Sequence, residues 1–191
     1  MSVNLVKGQK VNLSKDASDT KKFLVGLGWD ANTNKGFFSS ANYDLDASAF
    51  ILRDGKLCKK KDIVYFGNLE QSGVWHHGDN LTGAGEGDDE QITVNLKKLE
   101  SDIDKIIFVV NIYKAKQRKQ SFKNIKNAFI RLVDGKSGVE LYRYNLSDGS
   151  VGDCSSLIFA EIYKHNDEWK FNAIGEGCKA GSITELADLY A

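Results

Sequence analysis

The segment Gly78 to Glu90, GDNLTGAGEGDDE, gathers the residue types best suited to holding a cation. It carries the carboxylates of Asp79, Glu86, Asp88, Asp89 and Glu90, spaced by Gly83, Gly85 and Gly87. Between Lys61 and Lys97 there is no Lys or Arg, yet there are seven acids, Asp62 and Glu70 being the other two. Such a stretch repels itself, because unit charges about 4 Å apart cost roughly 4 kcal/mol per pair at an effective dielectric near ~20. Spreading into solvent relieves the repulsion, and so does folding around a cation. Glycines let the backbone turn tightly and aim carbonyl oxygens inward. Carboxylates and carbonyls at varied geometry suit Ca2+, which takes about 6–8 oxygen ligands. Mg2+ demands a stricter octahedron, and transition metals prefer His and Cys. Spacing alone leaves a calcium site and a solvated acidic loop both open.

A second acidic element, ANYDLDASAF (residues 41–50), runs into an apolar stretch. In extended backbone Asp44 and Asp46 point to one side and Leu45 to the other. Two carboxylates beside an apolar anchor would complete a cation site from across the end of a sandwich. Neither element is an EF-hand. The loop from Asp44 has Ala49 and Gly55 where an EF-hand needs Gly and Glu, and the loop from Asp79 has Leu81 and Gly83 at ligand positions. Nor is the glycine pattern a phosphate loop, since no Gly-Lys-Ser/Thr follows and the acids repel phosphate.

The elements that must position these acids read mostly as strands. Short β-branched and aromatic runs are bounded by Gly, Asn or Asp. Candidates are residues 23–29, 47–53, 57–66, 91–96, 105–113, 127–133, 139–145, 157–164 and 168–174. Asp54-Gly55 is a hairpin signal, and Asp134-Gly135 and Asn166-Asp167 mark further turns. KIIFVVNIY (residues 105–113) is so continuously apolar that it belongs at a sheet centre with both faces covered. Helices are expected at 117–126 and at 182–190, where Ser182 and Glu185 stand at capping-box spacing. The pattern predicts one domain spanning residues 1–191, an all-β, antiparallel two-sheet β-sandwich with one or two short helices.

Composition removes other classes. Formal net charge is zero, so the molecule as a whole has no bias toward nucleic acid or membrane. The N-terminus lacks a signal-peptide apolar region and no stretch reaches membrane-spanning length, which makes a cytoplasmic location the expectation. Cys58, Cys154 and Cys178 show no zinc spacing and read as reduced thiols. Cys58 beside Lys59, Lys60 and Lys61 is a minor redox candidate. His76 and His77 are adjacent, so in a strand they face opposite ways and do not share an ion. The run 114–131 holds seven Lys or Arg and no acid, a solvated face or a surface for an acidic partner. It lacks the interleaved aromatics of a nucleic-acid site. No Ser/His/Asp or Cys/His set is legible, and the competing reading is a metal-dependent enzyme using the clustered loop carboxylates.

GDNLTGAGEGDDE and YDLDASAF, with GLGWD (residues 26–30) and FVVNIY (residues 108–113), resemble the TerD family of tellurium-resistance and general-stress proteins. The similarity runs from VNLVKGQKVNLSK near the start to HNDEWKFNAIGEGCKAG near the end. The resemblance implies an intracellular bacterial stress protein, a β-sandwich that binds Ca2+, usually two ions, in loops at one end. It implies sister proteins or a membrane-associated stress complex as partners, and no established catalytic activity. By position, Asp44, Asp46, Asp79, Asp88, Asp89 and Glu90 match the family's acidic motif. Asn68, Asp30 and the carbonyls around Gly83 and Gly85 are weaker candidates, Asp30 reading equally as a turn residue after Trp29.

Overall fold

In the computed structural model the structure describes residues 2–16, 21–31, 43–78, 87–146 and 149–191. The strands in chain order are β1 (Val3–Leu5), β2 (Lys10–Asn12), β3 (Lys22–Ala31), β4 (Leu45–Leu52), β5 (Ile63–Val64), β6 (Glu70–Gln71) and β7 (Val74–His76). They continue as β8 (Glu90–Asn95), β9 (Lys105–Ile112), β10 (Ile125–Asp134), β11 (Glu140–Asn145), β12 (Ser156–His165) and β13 (Glu168–Cys178). The α-helical segments are single turns, α1 (Leu13–Asp16), α2 (Ala115–Arg118) and α3 (Ile183–Ala187).

The strands form two sheets, one in the order β1-β11-β10-β3-β8-β7-β6 and the other β2-β13-β12-β9-β4-β5. Pairing is antiparallel except at one edge, where β1 lies parallel to β11. Alternation on β3 sends Phe23, Val25, Leu27 and Trp29 into the space between the sheets. There they join Leu45, Ala47, Ala49 and Ile51 of β4 and Phe108, Val110 and Ile112 of β9 in one cluster. Fully buried phenylalanines such as Phe23, Phe108, Phe159 and Phe171 each contribute about 1.5–3 kcal/mol of hydrophobic stabilisation.

β9 lies between β12 and β4, and both of its faces are covered. Its outer residues Ile107 and Val109 pack with Phe50 and Leu52 beneath Leu186 and Ala187 of the C-terminal helix. Ser182 caps that helix, its Oγ accepting the Glu185 N–H at 3.2 Å.

Two sequence expectations fail for local reasons. The strand expected over 57–66 shrinks to β5, because Arg53 draws the fully buried Asp62 inward at 2.6 Å and the chain makes a 3-10 turn at Lys60–Asp62. The helix expected over 117–126 splits into α2 and a 3-10 turn at Phe122–Asn124, since Lys119 adopts a left-handed φ of 51°. Asp54-Gly55 does turn the chain, with φ of 51° and 70° inside an Arg53–Lys56 bridge.

Candidate metal centre

Register places the acidic elements at one end of the sandwich. Glu90 opens β8 opposite Leu27, near the end of β3, while Leu45 opens β4 opposite Ile112, the last residue of β9. Glu90 turns inward between the sheets and reaches the other sheet. Its Oε2 accepts the Ala47 N–H of β4 at 2.6 Å, so the last residue of the 78–90 segment is bonded directly to the second acidic element. β5 pairs β4 only at Ala49 and Phe50, which leaves the Ala47 edge to side chains. His76 completes that edge, its Nε2 lying 3.2 Å from the Ala47 carbonyl and 3.4 Å from Glu90 Oε2. Neither side chain reaches solvent appreciably, His76 being 5% and Glu90 3% exposed.

Asp88 goes elsewhere. Its carboxylate lies over Gly26 on the outer face of the first sheet, where any Cβ would collide with it. Arg131 grips it with two bonds, Nε to Oδ1 at 2.6 Å and a terminal nitrogen to Oδ2 at 2.9 Å, and Gln91 adds a third at 3.0 Å. Arg131 also meets Glu140, which Arg143 and the Ser2 hydroxyl hold from the other side. A guanidinium fork already neutralises Asp88, and a cation there would have to displace or share that fork.

Asp89 stays at the rim. Its Oδ2 accepts the Trp29 N–H at 2.8 Å. Burial pushes this carboxyl above the usual range, the Trp29 bond opposes that, and the neighbouring Asp30 and Asp88 charges add to it. A positive ion beside Asp89 would relieve both the burial and the repulsion. Asp30 is exposed and accepts from the Asn127 amide at 2.5 Å.

Asp46, 7% exposed, faces outward on β4, opposite Asn111 of β9. The Asn111 amide nitrogen donates to Asp46 Oδ2 at 3.3 Å, which orients the amide and leaves its oxygen Oδ1 buried without a hydrogen-bond partner among the described residues. Asp44, partly buried, has Arg118 of α2 at 3.8 Å. Asn68 braces a turn, its amide nitrogen donating to the Lys61 and Ile63 carbonyls.

Asp79, Gly83 and Gly85, like Glu86, lie outside the described residues. Among the described residues no group of three or more His, Cys, Asp or Glu side chains converges on one ion. Asp88, Glu90 and Asp46 point respectively to the outer face of one sheet, the interior and the outer face of the other sheet. His76 and Asn111 were missed as contributors. The available signal was a polar side chain within a buried strand, at FVVNIY and at VWH.

Residues 1–190 match the TerD domain family. The chain belongs to the TerD family. Stress response protein SCP2 of Bacillus subtilis (strain 168) is 47% identical over 199 residues, covering 100% of both chains. Tellurium resistance protein TerD of Serratia marcescens is 46% identical, covering 100% of this chain and 97% of its own. The crystal structure of a TerD homologue, SCO6318 from Streptomyces coelicolor A3(2), overlays with a TM-score of 0.70 at 19% identity, over 90% of this chain and 98% of that one. The TerD fold is thus shared by a solved structure. Among the described residues no helix is long and apolar enough to cross a membrane.

Proposed function

We propose that the chain is a cytoplasmic, non-catalytic stress-response module whose acidic end binds Ca2+ and, once ordered, presents a surface to another protein. The observation that carries this reading is the Glu90–Ala47 bond at 2.6 Å, which ties the base-free segment to the strand that bears Asp46 and follows Asp44. The tellurium-resistance and stress-protein names of relatives near 45% identity support the cellular context. The donor chemistry fits a hard cation. Asp46, Asp89 and the unpartnered Asn111 oxygen offer only oxygen, and Asp44 stands two residues before Asp46. Asp44, Asp46, Asp79 and Asp89, with carbonyls near Gly83 and Gly85, would hold the ion or ions, while Asp88 and Glu90 anchor the segment. Bound Ca2+ would supply positive charge that removes the segment's self-repulsion. Ordering the segment in this way creates the recognition surface, for which a sister family member or a membrane-associated stress complex is the proposed partner.

Calorimetric titration of the full chain with Ca2+ tests the reading. Saturable uptake is expected, and Asp46→Asn should weaken it by about tenfold or more, equivalent to roughly 1.4 kcal/mol. A chain that takes up no Ca2+ after chelator treatment overturns it.

A further inference from the structure

The outer face of β4 changes character along its length. Asp46, Ser48, Phe50 and Leu52 alternate onto that face, with Asn111 of β9 beside Asp46 and Val109 beside Ser48. The C-terminal helix covers Phe50, Leu52, Ile107 and Val109, but it begins only at Ile183. At its start a hollow of about 340 Å3 remains over Asp46, Ser48 and Asn111, walled by Phe66, Tyr113 and Ile183. That volume lies within the roughly 300–1,000 Å3 usual for small-molecule sites.

The buried residues at its base are rich in acceptors. Ser48 is 0% and Asn111 6% exposed, and the Ser48 hydroxyl and the Asn111 amide oxygen have no hydrogen-bond partner among the described residues. Buried polar atoms are normally paired, so two orphans under one hollow point to a group that arrives from outside. Asp46 adds a carboxylate, which the Asn111 amide nitrogen meets at 3.3 Å. An ammonium group suits this base, being all donor and no acceptor. The mouth has the opposite charge. Lys114 and Lys116 stand exposed there, Lys116 sharing Glu185 at 3.3 Å and Lys114 lying 4.9 Å from the Tyr113 ring centre. Lysines at a mouth disfavour a bare cation and favour a carboxylate.

We propose that this hollow binds a small amino acid with an apolar side chain. Its ammonium meets Asp46, Ser48 and Asn111, its carboxylate faces Lys114, and its side chain lies against Phe66, Tyr113 and Ile183. Asp46 and Asn111 belong to the calcium reading as well, and an ammonium and Ca2+ exclude each other at Asp46. Ser48, the apolar walls and the lysines have no part in holding an ion, and they set the amino-acid site apart from it.

Leucine is the probe, titrated into the full chain with chelator present and followed by NMR at the Asn111 side-chain amide and the Ser48 N–H. Saturable shifts are expected. N-acetylleucine, which lacks the ammonium, should produce none. Leucinamide, which lacks the carboxylate, should bind about two- to fivefold more weakly, as an exposed ion pair is worth. That difference should vanish in Lys114→Ala. Ser48→Ala should weaken leucine binding by about two- to tenfold, the range for one net hydrogen bond. Its thermal midpoint should not fall, because the hydroxyl it removes makes no bond among the described residues. A midpoint that falls with the affinity overturns the role of Ser48. Equal binding of leucine, leucinamide and N-acetylleucine overturns the head-group assignment. The absence of any saturable leucine shift overturns the site, leaves its base to water and does not touch the calcium reading. Leucine binding by a chain that takes up no Ca2+ supports the site and overturns the calcium reading alone.

Discussion

β4 meets acids at both of its ends and balances them differently. Past its last residue, Arg53 takes Asp62 at 2.6 Å, Glu100 at 2.7 Å and Asp102 at 2.8 Å, so one planar guanidinium serves three carboxylates. The Ser72 hydroxyl and Arg53 together hold Glu100 below the usual carboxylate range. At the other end Arg131 takes Asp88 on the outer face, and Arg118 comes only within 3.8 Å of Asp44. Neutral donors face the remaining acids, an Asn111 amide toward Asp46 and the Trp29 N–H toward Asp89. The Arg53 end gathers its three acids on one cation of the chain. On the calcium reading the other end draws the rest of its counter-charge from solution, and so becomes the end that responds to its surroundings.

Breaking the self-sufficient end should have the largest effect. Arg53→Met leaves Asp62 fully buried without its cation, a loss of about 3–5 kcal/mol by the usual cost of orphaning a buried charge. Urea denaturation measures it, and a loss below about 1 kcal/mol would show that the Arg53 hub behaves as a surface pair. The responsive end should give the next effect. Free Ca2+ at about 100 times its dissociation constant should add roughly 2.7 kcal/mol per site, read as a shift in the melt between calcium and chelator. Arg53→Met should gain the same increment, because separate sites add. Unequal increments would mean the two ends of β4 are coupled.

The smallest effect comes from the outer face of the first sheet, where a mixed network calibrates both ends. Arg143, then the Ser2 hydroxyl and Arg131, hold Glu140 down to about 2. Its folded value lies below the unfolded one, near ~4.3. The stability it contributes is therefore present above that unfolded value and is lost as pH falls toward its folded value. Glu140→Gln should cost under ~1 kcal/mol at neutral pH and flatten the acid limb of a stability-against-pH curve. An unchanged acid limb would assign that limb to other carboxylates.

The fold was legible where one periodicity governed a whole element. Lys105–Ile112 announced a doubly covered strand, and Asn166-Asp167, with φ of 52° and 59°, a two-residue hairpin. It was illegible where a long-range charge overrode local pattern, as when Arg53 pulled Asp62 inward and dissolved the strand expected over 57–66. The short strands β1, β2, β6 and β7 were missed because two or three residues carry no periodic signal. The site was half legible. Acid spacing located the end of the sandwich, but neighbouring acids take different jobs according to which face they meet. Asp88 finds Arg131 on an outer face and Glu90 finds Ala47 inside, a sorting set by strand parity and distant partners that no local motif contains.

The Ala47 edge has a further consequence, for self-association. With β5 reaching only Ala49 and Phe50, the N–H and C=O of Ala47 would otherwise form an open rung, the kind of edge on which a strand from another molecule adds. Glu90 takes the N–H and His76 faces the C=O, both from the opposite sheet. Two side chains thus close a sheet margin that backbone pairing leaves unfinished, and cover the rung on which a second copy of the chain would otherwise add.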